Sequence, residues 1–175
     1  MFTSMTFSMV AVATAISMAS SAMAAQDHDD SHAMHHDMQG EHAQVNQQKP
    51  WGIAGNEALV TRTVELRMND QMMFVPAKFD VQEGETIRVV LHNDGKVVHE
   101  YVLGTQAELD AHAAMMASNV QMEHHQPYMV HVAPGETGEM IWNFNRTGVF
   151  DFACLIAGHY QAGMVGKVNV VAASQ

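Results

Sequence analysis

From about Ala58 onward the chain is a series of short runs in which apolar and polar residues alternate, each cut by Gly, Pro, Asn or Asp. Successive side chains of an extended strand point to opposite faces, so alternation of this kind reads as strands with one buried face. In VELRM, Val64, Leu66 and Met68 share one face while Glu65 and Arg67 take the other, and TIRVVLHN groups Ile87, Val89 and Leu91. KVVHEYVLG, YMVHV, EMIWNF, VFDFAC and MVGKVNVV continue the series, and NDG at 93–95 reads as a tight hairpin turn between two of its members. The expected fold is all-β, a sandwich or barrel of seven or eight strands. One piece departs from it. Residues 105–117, TQAELDAHAAMMA, are helix formers, with Thr105 as N-cap and Glu108 three residues later completing a capping box, which predicts one short inserted helix.

Upstream the composition changes. Residues 1–24 are apolar and rich in small side chains and end in Ala22-Met23-Ala24, the pattern of a secretory signal, so the mature chain is expected to begin at Ala25 and to reside in the periplasm. The segment lacks Lys and Arg ahead of its apolar stretch, which leaves an uncleaved membrane anchor as the competing reading. Residues 25–57 hold a His-, Met- and Asp-rich leader with little that could build a core, read either as a solvated acidic linker or as a labile trap for metal ions. The β domain then occupies 58–175. With a net charge of −11 and no basic cluster, nucleic acid is not an expected partner, and after signal cleavage neither is a membrane. The chain is expected to act as a monomer.

A single cysteine in an exported chain cannot close an internal disulfide, so Cys154 is inert, pairs between chains, or does chemistry. Strand phase bears on which. In VFDFAC, Phe150, Phe152 and Cys154 share a face, and two aromatics make it the core face. In MVGKVNVV, Met164, Val168 and Val170 lie opposite Lys167 and Asn169, so Met164 also points inward. His159 sits on the connecting loop and can turn back toward both. In VVHEYVLG, burying Glu100 unpaired would cost several kcal/mol; the His99 face is therefore the expected core face, with Glu100 on the other. Two imidazoles, one thiolate and a thioether form the His₂Cys plus Met set of mononuclear copper electron-transfer sites. The expected metal ligands are His99, Cys154, His159 and Met164, and the expected cofactor is copper, as Cu(I) and Cu(II).

HEYVLG followed by FACLIAGHYQAGM resembles the cupredoxins, the blue or green type 1 copper proteins. The insert HAAMMASNVQMEHHQPYMVHVAPGET behind a His-rich leader is similar to the CopI-type periplasmic copper-resistance proteins. The resemblance covers residues 58–173. It implies a cupredoxin-like Greek-key β-sandwich and the same four ligands, His99, Cys154, His159 and Met164. Glu100 departs from plastocyanin and azurin, which place Asn after the first His.

The insert also gathers soft donors. Met116, Met122, His124, His125, Met129 and His131 form a candidate second, labile copper site, with His112 and Met116 on one helix face; the competing reading has the helix methionines packing on the sandwich and the histidines solvated. With 12 His and 16 Met, donors exceed the four that one centre needs, which favours a protein of copper tolerance that binds copper and handles its redox state. The alternative is a soluble shuttle passing single electrons between respiratory redox partner proteins. One domain leaves no room for a further catalytic copper centre, so the chain is not expected to be an enzyme beyond weak oxidation of Cu(I).

Overall fold

The computed structural model describes residues 47–118 and 125–174. The signal and most of the leader lie outside the described residues, as do Met122 and His124. Ten strands are present among them: β1 (Ile53–Ala54), β2 (Arg62–Asn69), β3 (Met73–Val75), β4 (Lys78–Gln82), β5 (Thr86–Asn93), β6 (His99–Gly104), β7 (Met129–Val132), β8 (Thr137–Asn143), β9 (Gly148–Ala153) and β10 (Val165–Val171). Eight have four residues or more, as the alternation predicts; β1 and β3 are two- and three-residue additions at the sheet edges. The strands form two five-stranded sheets, ordered β1-β8-β5-β2-β3 and β4-β10-β9-β6-β7. Parallel pairs β2/β5 and β4/β10 sit beside antiparallel ones.

Between the sheets lies the core predicted from the alternation. Val64, Leu66, Met68, Ile87, Val89, Leu91, Phe150, Phe152, Cys154, Met164, Val168 and Val170 are all buried in one cluster. Phe152 is its pivot, stacked on Tyr101 at 5.1 Å between ring centroids and edge-on to Phe74 at 5.0 Å. Such offset and T-shaped contacts are the geometry that the ring quadrupoles favour.

Three details differ from the sequence reading. β5 and β6 belong to different sheets, so residues 94–98 cross the sandwich rather than closing a hairpin. Asn93 explains the diversion: its side-chain amide donates to the carbonyls of Val97 and Val132, and its Oδ1 accepts from Gly95 N, turning the chain toward the other sheet. The sheet also reaches upstream of Ala58, where β1 pairs with β8 and Trp51 is buried, its carbonyl accepting from Trp142 Nε1 at 3.0 Å. Lastly, both faces of β6 are buried. Helix α1 (Gln106–Ser118) lies over the outer face, with Leu109 and Ala113 packed on Val102, Ala153 and Leu155. The capping box stands as read: Thr105 Oγ1 bonds the Glu108 carboxylate, and Glu108 N lies 3.4 Å from Thr105 Oγ1.

Candidate metal centre

The centre is assembled by register. β6 and β9 pair antiparallel with Val102 opposite Ala153. Continuing one and two residues brings Cys154 and Leu155 level with Tyr101 and Glu100, so the thiol arrives at the end of the strand that begins with His99. β9 and β10 pair with Ala153 opposite Val165, and Cys154 N donates to the Met164 carbonyl at 3.1 Å, which sets Met164 directly across from the cysteine. Between them the loop folds on itself: His159 N donates to Ile156 O, and Met164 N to His159 O. These bonds turn His159 back over the strand ends. Tyr160 OH donates to Asp110 at 2.6 Å, tying the same loop to α1.

His99, Cys154 and His159 each offer a ligand atom lying within 4.8 Å of the others. Cys154 Sγ stands 3.2 Å from His159 Nδ1, and the two imidazole rings are 5.0 Å apart. His99, Cys154 and Met164 are fully buried while His159 is half-buried, so one edge of the cluster reaches the surface. Glu100 N donates to Cys154 Sγ at 3.3 Å.

The electrostatics suit a metal. Burial pushes the Cys154 thiol up to about 11, against the opposing pull of the Glu100 and Ile156 amides, so the metal-free site holds a neutral thiol at pH 7. Burial, and then the neighbouring His99, lower His159, keeping its imidazole neutral and able to donate a lone pair. His99 Nε2 lies 3.4 Å from Asp70 Oδ1. An ionised carboxylate only accepts, so Nε2 carries the proton and Nδ1 the lone pair. That Nδ1 is buried with no hydrogen-bond partner in the protein. A buried acceptor without a donor costs free energy unless something fills the place, and a soft cation facing one thiol and two imidazoles fits this donor set.

Two neighbours of the cluster were not legible in the sequence. Asp70 stands 29 positions before His99, on a turn whose Asn-Asp reads only as a loop. Glu100 was expected on a solvated face, but only 1 % of it is exposed. Partners compensate for its burial: the carboxylate accepts from Leu155 N at 3.2 Å and from His131 Nε2 at 3.0 Å.

The described members of the second donor set lie on α1, on β7 and in the segment just before it. Met129 packs against the apolar cluster under α1, His131 pairs with Glu100, Met116 is half-buried on α1, and His125 is exposed. Met122 and His124 lie outside the described residues. Among the described residues, no helix is long and apolar enough to cross a membrane.

The likeness to known proteins runs the length of the sandwich. A profile of the copper binding proteins of the plastocyanin/azurin family matches residues 60–171. The chain is 44 % identical over 162 residues to the copper-resistant cuproprotein CopI of Rubrivivax gelatinosus, covering 93 % of this chain and 94 % of that one. It is 34 % identical to CopI of Pseudomonas aeruginosa, covering 69 % of this chain and 82 % of that one. Among solved structures, auracyanin B superposes with a TM-score of 0.56 at 20 % identity, covering 71 % of this chain and 96 % of that one. The reduced auracyanin of Roseiflexus castenholzii gives 0.55, also at 20 %, covering 64 % and 98 %. These structures share the sandwich. By family profile, relatives and fold, the chain belongs to the plastocyanin/azurin family of copper-binding proteins, as a cupredoxin resembling CopI.

Proposed function

We propose that this protein is an exported copper-resistance protein that holds one copper ion on His99, Cys154, His159 and Met164 and handles its redox state in the periplasm. The observation that carries the reading is the convergence of two imidazoles and one buried thiol within 4.8 Å, with Met164 across the ladder from the cysteine. Bound there, copper supplies a one-electron couple, Cu(I)/Cu(II), to a thiolate that suits the first state and imidazoles that tolerate both. The chain's own part is to hold the donors nearly fixed. Cys154 is clamped between Glu100 N and the β10 ladder, His99 is locked by Asp70, and His159 is set by the loop's own backbone bonds. Binding in a buried pocket withholds the ion from other ligands, and CopI relatives named for copper resistance support that role.

The electron-shuttle reading rests on one feature, the half-exposed edge. His159 is flanked by half-buried Ile156 and exposed Ala157, Gly158 and Ala162, a small apolar surface of the kind a redox partner covers. Deleting the gene separates the readings. Copper hypersensitivity with normal respiration is expected; impaired respiration with unchanged copper tolerance would favour the shuttle. Further copper storage on the insert is part of the same proposal. Titrating the metal-free protein with Cu(I) against a competing chelator is expected to give more than one equivalent, falling to one when Met116, Met122 and His124 are replaced.

A further inference from the structure

We propose that Asp70 is a positioning residue that sets the reduction potential of the centre, by fixing the tautomer of His99 and placing a carboxylate charge behind its imidazole. The proposal rests on the reading of His99 as a copper ligand. Asp70 follows the last residue of β2, in a turn fixed by Gln71 N donating to Asn69 Oδ1. Both its oxygens accept from Lys96 N, at 3.0 and 2.9 Å, so the carboxylate is anchored to the crossing segment before its third contact, His99 Nε2. The crossing segment is shaped to admit it. A Cβ on Gly95 would stand 2.1 Å from Asp70 Oδ1, so a side chain there would drive the carboxylate away. Asp70, Gly95 and Lys96 thus hold one negative group against the back of one ligand.

The consequence follows from charge. A hydrogen-bonded carboxylate raises the electron density an imidazole donates through its other nitrogen and lowers the local potential. Both effects favour the dication over the monocation, so Asp70 stabilises Cu(II) and lowers the reduction potential. Because the Asp70 side chain is 36 % exposed, water screens part of this. An effect at the lower end of the ~10–100-fold range for such outer partners is therefore expected.

The test uses the full chain with Asp70→Asn, which removes the charge but keeps an accepting oxygen, and Gly95→Ala, which keeps the carboxylate and displaces it. In the copper-loaded proteins, Asp70→Asn is expected to weaken Cu(II) about tenfold relative to Cu(I), a rise of about 59 mV in potential, and Gly95→Ala to move it the same way. In the metal-free protein, nitrogen NMR of His99 is expected to show the Nε2–H tautomer in the parent chain and a mixture in Asp70→Asn. A potential and a tautomer both unchanged in Asp70→Asn would overturn the proposal, and a lowered stability with an unchanged potential would reduce Asp70 to a structural residue. The ligand reading fails separately. If the thiolate-to-copper band survives His99→Ala unaltered, His99 is not a ligand, and the potential argument falls with it whatever Asp70 does to the tautomer.

Discussion

The 3.2 Å contact between Cys154 Sγ and His159 Nδ1 joins two groups that burial keeps neutral, the thiol pushed up to about 11 and the imidazole lowered. At pH 7 to 8 the metal-free thiol therefore keeps its proton, and copper must displace it. Copper affinity is accordingly expected to rise roughly tenfold per pH unit up to about 11, with about one proton released per ion bound, read by calorimetry in buffers of different ionisation enthalpy. Uptake without proton release would mean the thiol is not the ligand. Cys154→Ser is expected to abolish the thiolate-to-copper charge-transfer band, because an alcohol oxygen is a hard, weak donor. Met164→Leu should keep copper but raise the potential, since losing a thioether destabilises Cu(II) more than Cu(I); an unchanged or lower potential would argue against Met164 as a ligand. His131 matters for another reason. Its Nε2 pairs with a carboxylate that has almost no contact with water. His131→Ala is expected to cost about 1–3 kcal/mol in denaturation of the metal-free protein, by leaving that carboxylate under-compensated.

At the scale of elements, the cysteine directly follows β9 and the methionine directly precedes β10, and the spacing of these strands depends on a residue without a side chain. A Cβ on Gly166 would lie 2.2 Å from Phe152 Cζ and 2.7 Å from the Ala77 carbonyl, so both the core ring and a neighbouring backbone would have to move. Gly166→Ala is expected to destabilise the fold by roughly 1–3 kcal/mol and, because Phe152 is two residues from Cys154, to broaden or shift the charge-transfer band. Helix α1 is the other element whose placement reaches the site. It covers the outer face of β6 and holds the ligand loop through Asp110 and Tyr160. Its N-cap was readable because the capping box is a local pattern. The burial of Glu100 was not, because it depends on Leu155 and His131 coming to rest beside it from other segments.

Across the whole molecule, the sandwich recruits residues from outside the strictly alternating region. Trp51 is buried among core residues, its ring edge-on to Tyr128 at 5.6 Å and its carbonyl bonded to Trp142. Trp51→Ala is expected to cost about 3–5 kcal/mol, as a cavity where a mere leader would leave none. A denaturation midpoint unchanged by this substitution would restore Ala58 as the start of the folded unit.

Period-two alternation, a capping box and the phase of three donor side chains are local properties of a polypeptide, and they were enough to determine an all-β chain with one helix and the faces on which His99, Cys154 and Met164 lie. His159 lies on the loop between two of them, where alternation gives no phase, and could be read only as able to turn back toward both. Which strands become neighbours was decided only in three dimensions. The diversion at Asn93, the sheet order, the approach of Asp70 to His99 across 29 residues and the pairing of Glu100 with His131 all depend on contacts between segments remote in sequence. Alternation says which way a side chain points, but it carries no information about what stands opposite.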